Sequence, residues 1–276
     1  MREALYKING SADITIGLLA DTHNAEPGEI LSSLSAHHPD IIAIAGDILV
    51  GYRPSNDEPV VTEQENVLKL ISGCAAIAPT YISLGNHEWM ISDDDIKLLE
   101  ENGAVVLDNT YIHYNAGKHE LVIGGLTSAI VTNFQEFRRE CYETGTDMSR
   151  YPYRPRHSHS SHLMPETAWL SDFEKEQGYK VLLCHHPEYW SLREPQLCHH
   201  PIDLVLSGHA HGGQVRLFGR GVYAPGQGWM PKYTSGVFEG EHGKMLVSRG
   251  LANTAGPVPR VFNPTEVVYV EVRQDG

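Results

Sequence analysis

The chain has 276 residues, of which 41% are hydrophobic, enough to fill one core near the upper size for a single domain. Its formal net charge of -14 sets up overall repulsion against a long polyanion, and no stretch approaches the ~20 apolar residues of a membrane span. Cys74, Cys141, Cys184 and Cys198 form no C-x-x-C pair, and no basic-plus-apolar leader precedes Ile14, so a reducing, cytoplasmic location is expected over secretion.

Taken in chain order, residues 14–20 are a short run rich in Ile and Leu that ends in Asp21-Thr22-His23, and residues 41–45 end in Gly46-Asp47. Both read as buried strands running out into polar turns. Residues 54–59 are a polar loop, and residues 63–77 have the helical spacing Val67, Leu68, Leu70, Ile71, Ala75. A third apolar run, residues 80–84, leads into Gly85-Asn86-His87-Glu88, and residues 93–101 read as a short helix with Ser92 as N-cap. Alternation over 111–114 and 120–123 predicts strands.

From about 132 to 163 lies a segment read as an irregular insertion, holding Arg138, Arg139, Arg150, Arg154 and Arg156 together with Tyr151, Tyr153, His157, His159 and His162 in an otherwise acidic chain. Long irregular loops are either solvated or functional, and the functional reading is a cap whose arginines hold the distal part of an anionic substrate. Residues 168–177 are a further helix candidate. Strand 181–184 then ends at His185, and strand 204–207 at Gly208-His209-Ala210-His211, while 215–218, 244–248 and 266–272 alternate as strands of a second sheet packed on the first.

Singly, an Asp-x-His or a Gly-Asp pair is common. The ordered set of aspartate, aspartate, Asn-His, His and His-x-His, each at a strand exit, is not, because strand ends in layered α/β folds converge on one site. Asp, Asn and His together supply the mixed oxygen and nitrogen donors that transition metals such as Mn, Fe or Zn take in preference to Ca. His185 and His186 compete for one place. His185 follows the strand directly, and Pro187 turns the chain away after His186, which favours His185. Cys184 lacks a spaced partner and reads as a small buried hydrophobe.

Asp21-x-His23, Gly46-Asp47, Gly85-Asn86-His87-Glu88, His185 and Gly208-His209-x-His211 resemble the signature of the calcineurin-like metallophosphoesterases over about residues 14–272. Gly208 to Gln214, Val247-Ser-Arg-Gly250 and Pro259-Arg-Val-Phe-Asn-Pro264 are similar to the bacterial YkuE/YaeI-like branch. The resemblance implies one α/β domain over 1–276, a two-sheet β-sandwich flanked by helices in four layers (α/β/β/α), with a possible cap at about 132–163. It implies two divalent or mixed-valence transition-metal ions (Mn, Fe or Zn), one held by Asp21, His23, Asp47 and His211 and the other by Asp47, Asn86, His185 and His209. Asp47 would bridge ions about 3.5–4 Å apart that share one water, the hydroxide of which attacks phosphorus in line.

In the family pattern His87 is not a ligand but faces the phosphate and assists the leaving oxygen. The protein-phosphatase branch orients this histidine through an aspartate followed by a substrate-binding arginine. Here the stretch reads Gly46-Asp-Ile-Leu-Val-Gly51, so both are missing and a Ser/Thr protein phosphatase is disfavoured. The branch often carries an N-terminal anchor, and its absence here argues against a membrane substrate. The expected function is hydrolysis of a phosphodiester or a small phosphorylated metabolite. Alternatives are a nuclease of the DNA-repair type, which the charge disfavours, and a non-catalytic metal-binding scaffold, which a complete ligand set disfavours.

Overall fold

The apolar runs form strands that sort into two six-stranded sheets. The computed structural model describes residues 1–51, 59–117, 119–147, 150–151, 163–252 and 259–274. In chain order the elements are β1 (Arg2–Asn9), β2 (Ile14–Leu19), α1 (Gly28–His37), β3 (Ile41–Ala45), α2 (Glu65–Ile77), β4 (Thr80–Ser83), α3 (Asp93–Glu101), β5 (Ala104–Leu107), β6 (Thr110–Ala116), β7 (His119–Leu126), α4 (Ala129–Thr144), α5 (Leu170–Phe173), β8 (Tyr179–Cys184) and β9 (Leu204–Ser207). Two tiny hairpins follow, β10 (Arg216–Leu217) with β11 (Arg220–Gly221) and β12 (Tyr223–Ala224) with β13 (Gly228–Trp229). The chain closes with β14 (Gly236–Glu239), β15 (Lys244–Val247) and β16 (Glu266–Arg273).

One sheet has the order β1-β16-β2-β3-β4-β5 and the other β14-β15-β9-β8-β7-β6. Strands β2 to β5 are mutually parallel, as are β15, β9, β8 and β7, so each group releases its loops at a common end. Period-two alternation divides the side chains. Ile14, Ile16, Leu18, Ile41, Ala43 and Val270 meet Ile123, Val181, Leu183, Leu204 and Leu206 between the sheets. Leu19, Ile42, Ile44 and Ile82 turn instead to α1, α2 and α3, and Val122, Leu182, Val205 and Met245 to α5 and the turn around Tyr189 and Trp190. Each fully buried Ile or Leu here contributes about 1.5–3 kcal/mol, and the result is the four-layer sandwich.

Several elements depart from the sequence reading. Strand 266–272 belongs to the first sheet, between β1 and β2, not to the second. The helix expected over 168–177 shrinks to Leu170–Phe173, because only Leu170 and Phe173 are buried and Glu174-Lys175-Glu176-Gln177 offers no further apolar face. Residues 215–218 supply only the two-residue β10. The segment expected to be irregular from residue 132 begins inside α4, whose Ile130, Phe134 and Cys141 are buried and whose C-terminus is closed by Gly145 at φ 72°. Ser92 does cap α3, accepting from Asp95 N (3.2 Å) while Asp95 accepts from Ser92 N (2.9 Å). Most of the polar loop 54–59 lies outside the described residues.

Candidate metal centre

Strands β2, β3 and β4 of one sheet and β8 and β9 of the other deliver all the candidate ligands to one end of the sandwich. Asp21, His23, Asp47, His209 and His211 adopt φ values of 51°, 42°, 56°, 66° and 45°. Left-handed backbone costs a non-glycine residue about 1–3 kcal/mol and persists only where the surroundings impose it. It also takes His209 and His211 out of strand alternation, so these neighbours two residues apart reach different partners. Backbone bonds impose it: Asp21 N donates to Gly46 O (3.1 Å), His23 N to Asp47 O (3.1 Å) and Ala252 N to Asp21 O (2.7 Å).

Within each of three groups the donor atoms lie within 4.8 Å of one another: Asp21, His23 and His211; Asp47, His185 and His209; and His23, Asp47 and His87. Asp21 Oδ1 is 3.5 Å from His211 Nε2, and Asp47 Oδ2 is 3.1 Å from His185 Nε2 and 3.8 Å from His23 Nε2. Asp47 thus touches both halves of the cluster. His23 Nδ1–H donates to Leu49 O (2.9 Å) and His185 Nδ1–H to Ala45 O (2.7 Å), bonds that turn each Nε2 inward, where a cation can take the place of a proton. His23 Nε2, His185 Nε2 and Asn86 Oδ1 are buried without a hydrogen-bond partner among the described residues. Three such atoms around two carboxylates fit cations, since each would otherwise cost about 1–3 kcal/mol.

Burial opposes charge on every group here. Against it, the surrounding imidazoles, His185 foremost, hold Asp47 well below the usual carboxylate range, whereas burial keeps Asp21 raised. The Asp47 and Asp21 carboxylates in turn overcome burial at His185 and lift it to about 10. Burial lowers His23, His209 and His211, which keeps them neutral, the form that binds metal.

His87 N donates to Asp47 Oδ1 (2.8 Å), and its ring Nδ1 accepts from the Gly51 backbone N–H (3.0 Å). This tautomer places the ring proton on Nε2, 3.9 Å from Asp47 Oδ2. The orienting partner of His87 is thus a main-chain amide next to Val50, invisible in residue types. His185 is fully buried beside Asp47, while His186 bonds Ser128 Oγ (2.7 Å) and lies 3.5 Å from Glu188 Oε1.

Three further contributors escape a reading of residue types. Glu88, fully buried, accepts from Asp47 N (2.8 Å), Gly85 N (2.7 Å) and Leu49 N (2.9 Å), clamping two ligand loops together. Burial, then the Asp47 charge, pushes it up to about 7. Glu188, also buried, stands 3.8 Å behind His209 Nε2 in a fourth group with His186. Burial works against its charge, but the His209 and His186 imidazoles draw it down to about 2. Arg260 donates to Ala252 O (2.7 Å), Arg249 O (2.7 Å) and His211 O (3.3 Å), and Asn263 Nδ2 also donates to His211 O (2.6 Å). The 259–264 motif therefore cradles the His211 turn, where a Cβ on Gly212 (φ 63°) would run into Asn263.

Of the expected cap, Tyr151 is buried and donates to Asn133 Oδ1 (2.9 Å), with its ring stacked on Trp89 at 6.0 Å. Arg138 and Arg139 lie on α4 and form no hydrogen bond or ion pair with the ligand cluster among the described residues. Tyr153, Arg154, Arg156, His157, His159 and His162 lie outside those residues.

The family model described as calcineurin-like phosphoesterase matches residues 14–213, which include every candidate ligand. Bacillus subtilis YpbG is 23% identical over 257 residues, 92% of this chain and 79% of its own length. The metallophosphoesterase YkuE of the same organism is 33% identical over 92 residues, 33% of this chain and 30% of its own, in line with the branch motifs. Two other curated relatives are longer, and the chain spans 50% and 60% of their lengths. Among solved structures, Thermus thermophilus sulfate thiohydrolase SoxB shares the fold at a TM-score of 0.50 and 11% identity, over 90% of this chain and 54% of that one.

Proposed function

Because the chain belongs to the calcineurin-like phosphoesterase family and is a metal-dependent phosphoesterase, we propose that it hydrolyses a phosphodiester or a small phosphorylated metabolite at a two-metal centre. Asp21, His23, Asp47 and His211 would hold one ion, and Asp47, Asn86, His185 and His209 the other. The observation that carries this reading is the trio of buried, unpartnered atoms, His23 Nε2, His185 Nε2 and Asn86 Oδ1, around Asp47. The nitrogen and oxygen donor set suits Mn, Fe or Zn. Such a pair, when bound, supplies Lewis-acid activation of water and of the phosphoryl oxygens.

The rest is the work of the chain's own groups. The carbonyls of Leu49 and Ala45 lock His23 and His185 in the tautomer that presents Nε2. Gly51 N holds the His87 proton on Nε2, from which it is donated to the departing oxygen. Glu188 stands 3.8 Å from His209 Nε2 and steadies that ring by its charge. The chain acts as one domain over 1–276, and 132–163, anchored by Tyr151 on Trp89, contributes a cap over the substrate. Cys74, Cys141, Cys184 and Cys198 are all free thiols, in keeping with a cytoplasmic enzyme.

A panel of small esters tests the reading: p-nitrophenyl phosphate, bis-p-nitrophenyl phosphate, a cyclic nucleotide and duplex DNA, each with chelated and with Mn-reconstituted protein. Mn-dependent cleavage of small esters without cleavage of the duplex is expected. Inactivity of the Mn-loaded protein on every substrate sinks the hydrolase, and preference for the duplex gives the nuclease reading instead.

A further inference from the structure

The polypeptide beyond His211 departs from the rest of the chain in charge. From Gly208 to Phe238 there is no Asp or Glu, yet Arg216, Arg220 and Lys232 are present, and residues 248–265 are likewise free of acids, in a protein of net charge -14. Backbone bonds knot these stretches together. Val222 N donates to Gly213 O (3.1 Å) and to Val215 O (2.9 Å), Met230 N to Val222 O (2.9 Å), and Arg216 N to Val261 O (3.0 Å).

This knot carries four strongly exposed large apolar side chains: Phe218 at 105%, Phe262 at 80%, Trp229 at 76% and Met230 at 65%. Single exposed hydrophobics are ordinary, but a cluster joined by one backbone network marks a surface that meets an apolar partner. Phe218 and Phe262 line one groove with Arg216 and Arg249. Phe218, Met230 and Phe262 also stand at φ values of 50°, 52° and 52°, where glycine or asparagine would relieve the backbone. Bulky residues in left-handed turns that bury nothing do not serve the fold. They serve whatever the turns touch.

We propose that this face docks on an anionic lipid membrane, with Phe218, Trp229, Met230 and Phe262 entering the interface and the exposed Arg220 and Lys232 meeting the headgroups. Charge decides the occupant. Protruding aromatic and Met side chains on stretches that carry Arg and Lys but no Asp or Glu match a negatively charged bilayer surface, where Trp prefers the headgroup level and each basic residue adds attraction. A second copy docking symmetrically would set Arg220 and Lys232 of this face against their own kind. Docking requires no spanning segment, and no helix among the described residues is long and apolar enough to cross a membrane. It concerns the surface beside His211 and stands whether or not the hydrolysis reading holds.

The full chain is sedimented with phosphatidylglycerol-rich vesicles and with pure phosphatidylcholine vesicles. Binding to the anionic vesicles, weakened by salt and accompanied by a blue shift of tryptophan emission that Trp229→Phe abolishes, is expected. The double variant Phe218→Ser/Phe262→Ser should bind about tenfold or more weakly with its circular dichroism unchanged, because both side chains are already in water. Arg220→Glu, which touches no apolar contact, should weaken binding to anionic vesicles alone. Failure to bind either vesicle, or wild-type binding by the double variant, overturns the proposal. So does a dimer in sedimentation velocity that the double variant dissolves while no vesicle is bound, since the face would then belong to a second copy.

Discussion

Glu88 and Asp47 are joined through the main chain: the Glu88 carboxylate accepts the Asp47 amide N–H at 2.8 Å with one oxygen and, with its other oxygen, the Leu49 amide at 2.9 Å. The same Oε2 takes Gly85 N, so one buried carboxylate sets the spacing between the loop that carries Asp47 and the loop that carries Asn86 and His87. Only an acceptor at both positions satisfies three converging donors.

Glu88→Gln therefore places an NH₂ against at least one backbone N–H. The expected loss is about 1–3 kcal/mol per unsatisfied donor, seen as a lowered urea midpoint of the metal-free protein. Metal content should fall with it, because the ligand loops lose their common anchor. An unchanged midpoint would remove Glu88 from the framework of the site.

Asp47→Asn tests the bridge. Among the described residues Asp47 groups with His185 and His209 on one side and with His23 and His87 on the other. A neutral amide bridges two cations poorly, so elemental analysis of reconstituted protein should drop from two ions per chain toward one or none while the fold persists. Full activity of the wild type at one ion per chain would exclude the dinuclear reading.

His87→Ala should lower kcat by about 10²–10⁴ with metal content intact, and by less for a nitrophenolate leaving group than for an alkoxide. The bond from Gly51 N makes His87 a neutral Nε2–H donor, and a donor matters most when the leaving oxygen is basic. Equal losses across leaving groups would move His87 to phosphate binding.

The pH dependence follows from His185. Its ordinary value is 6.5, and the Asp47 and Asp21 carboxylates, working against burial, lift it to about 10. A raised imidazole stabilises the metal-free fold fully below its unfolded value and loses that contribution as pH climbs through the folded one. Metal-free protein should accordingly lose stability between about pH 6.5 and 10, while metal-loaded protein, whose cations replace the proton, should not. Thermal unfolding of both forms across this window reads the difference. Parallel curves would mean that His185 does not balance the carboxylates.

The chemistry of this site is far more legible in the residues than its scaffold. Asp21, His23, Asp47, Asn86, His185, His209 and His211 stand out because they are residue types that a cation would select, and each follows an apolar run that proves to be a strand. Glu88 acts through hydrogen bonds to main chain, Gly51 through one to the His87 ring and Glu188 through its charge beside His209, and nothing in their own type announces a partner far along the chain. The pairing of β1 with β16 is equally silent, since Arg2 meets Glu266 across almost the whole chain. Helix α1 buries only Ile30, Ser33 and Leu34, too few for a clear stripe. In α4 the spacing Ile130, Phe134, Phe137, Cys141 and the closing Gly145 do spell a helix, but the arginines, tyrosines and histidines downstream pull the segment toward a loop reading.

That helix reshapes the test of the cap. Excising residues 132–163 would remove Phe134, Cys141 and Tyr151, all buried, and unfold the edge that supports Trp89 and the His87 turn. The informative change is confined to residues 152–162, replaced by a short Gly/Ser linker between Tyr151 and Leu163. If the arginines and histidines of that stretch hold the distal part of the substrate, KM for a large phosphodiester should rise several-fold more than for p-nitrophenyl phosphate, with kcat for the small ester and metal content retained. A parallel loss for both substrates would make the stretch part of the scaffold, and no change in either would return substrate choice to side chains nearer the metals, Trp89 first among them.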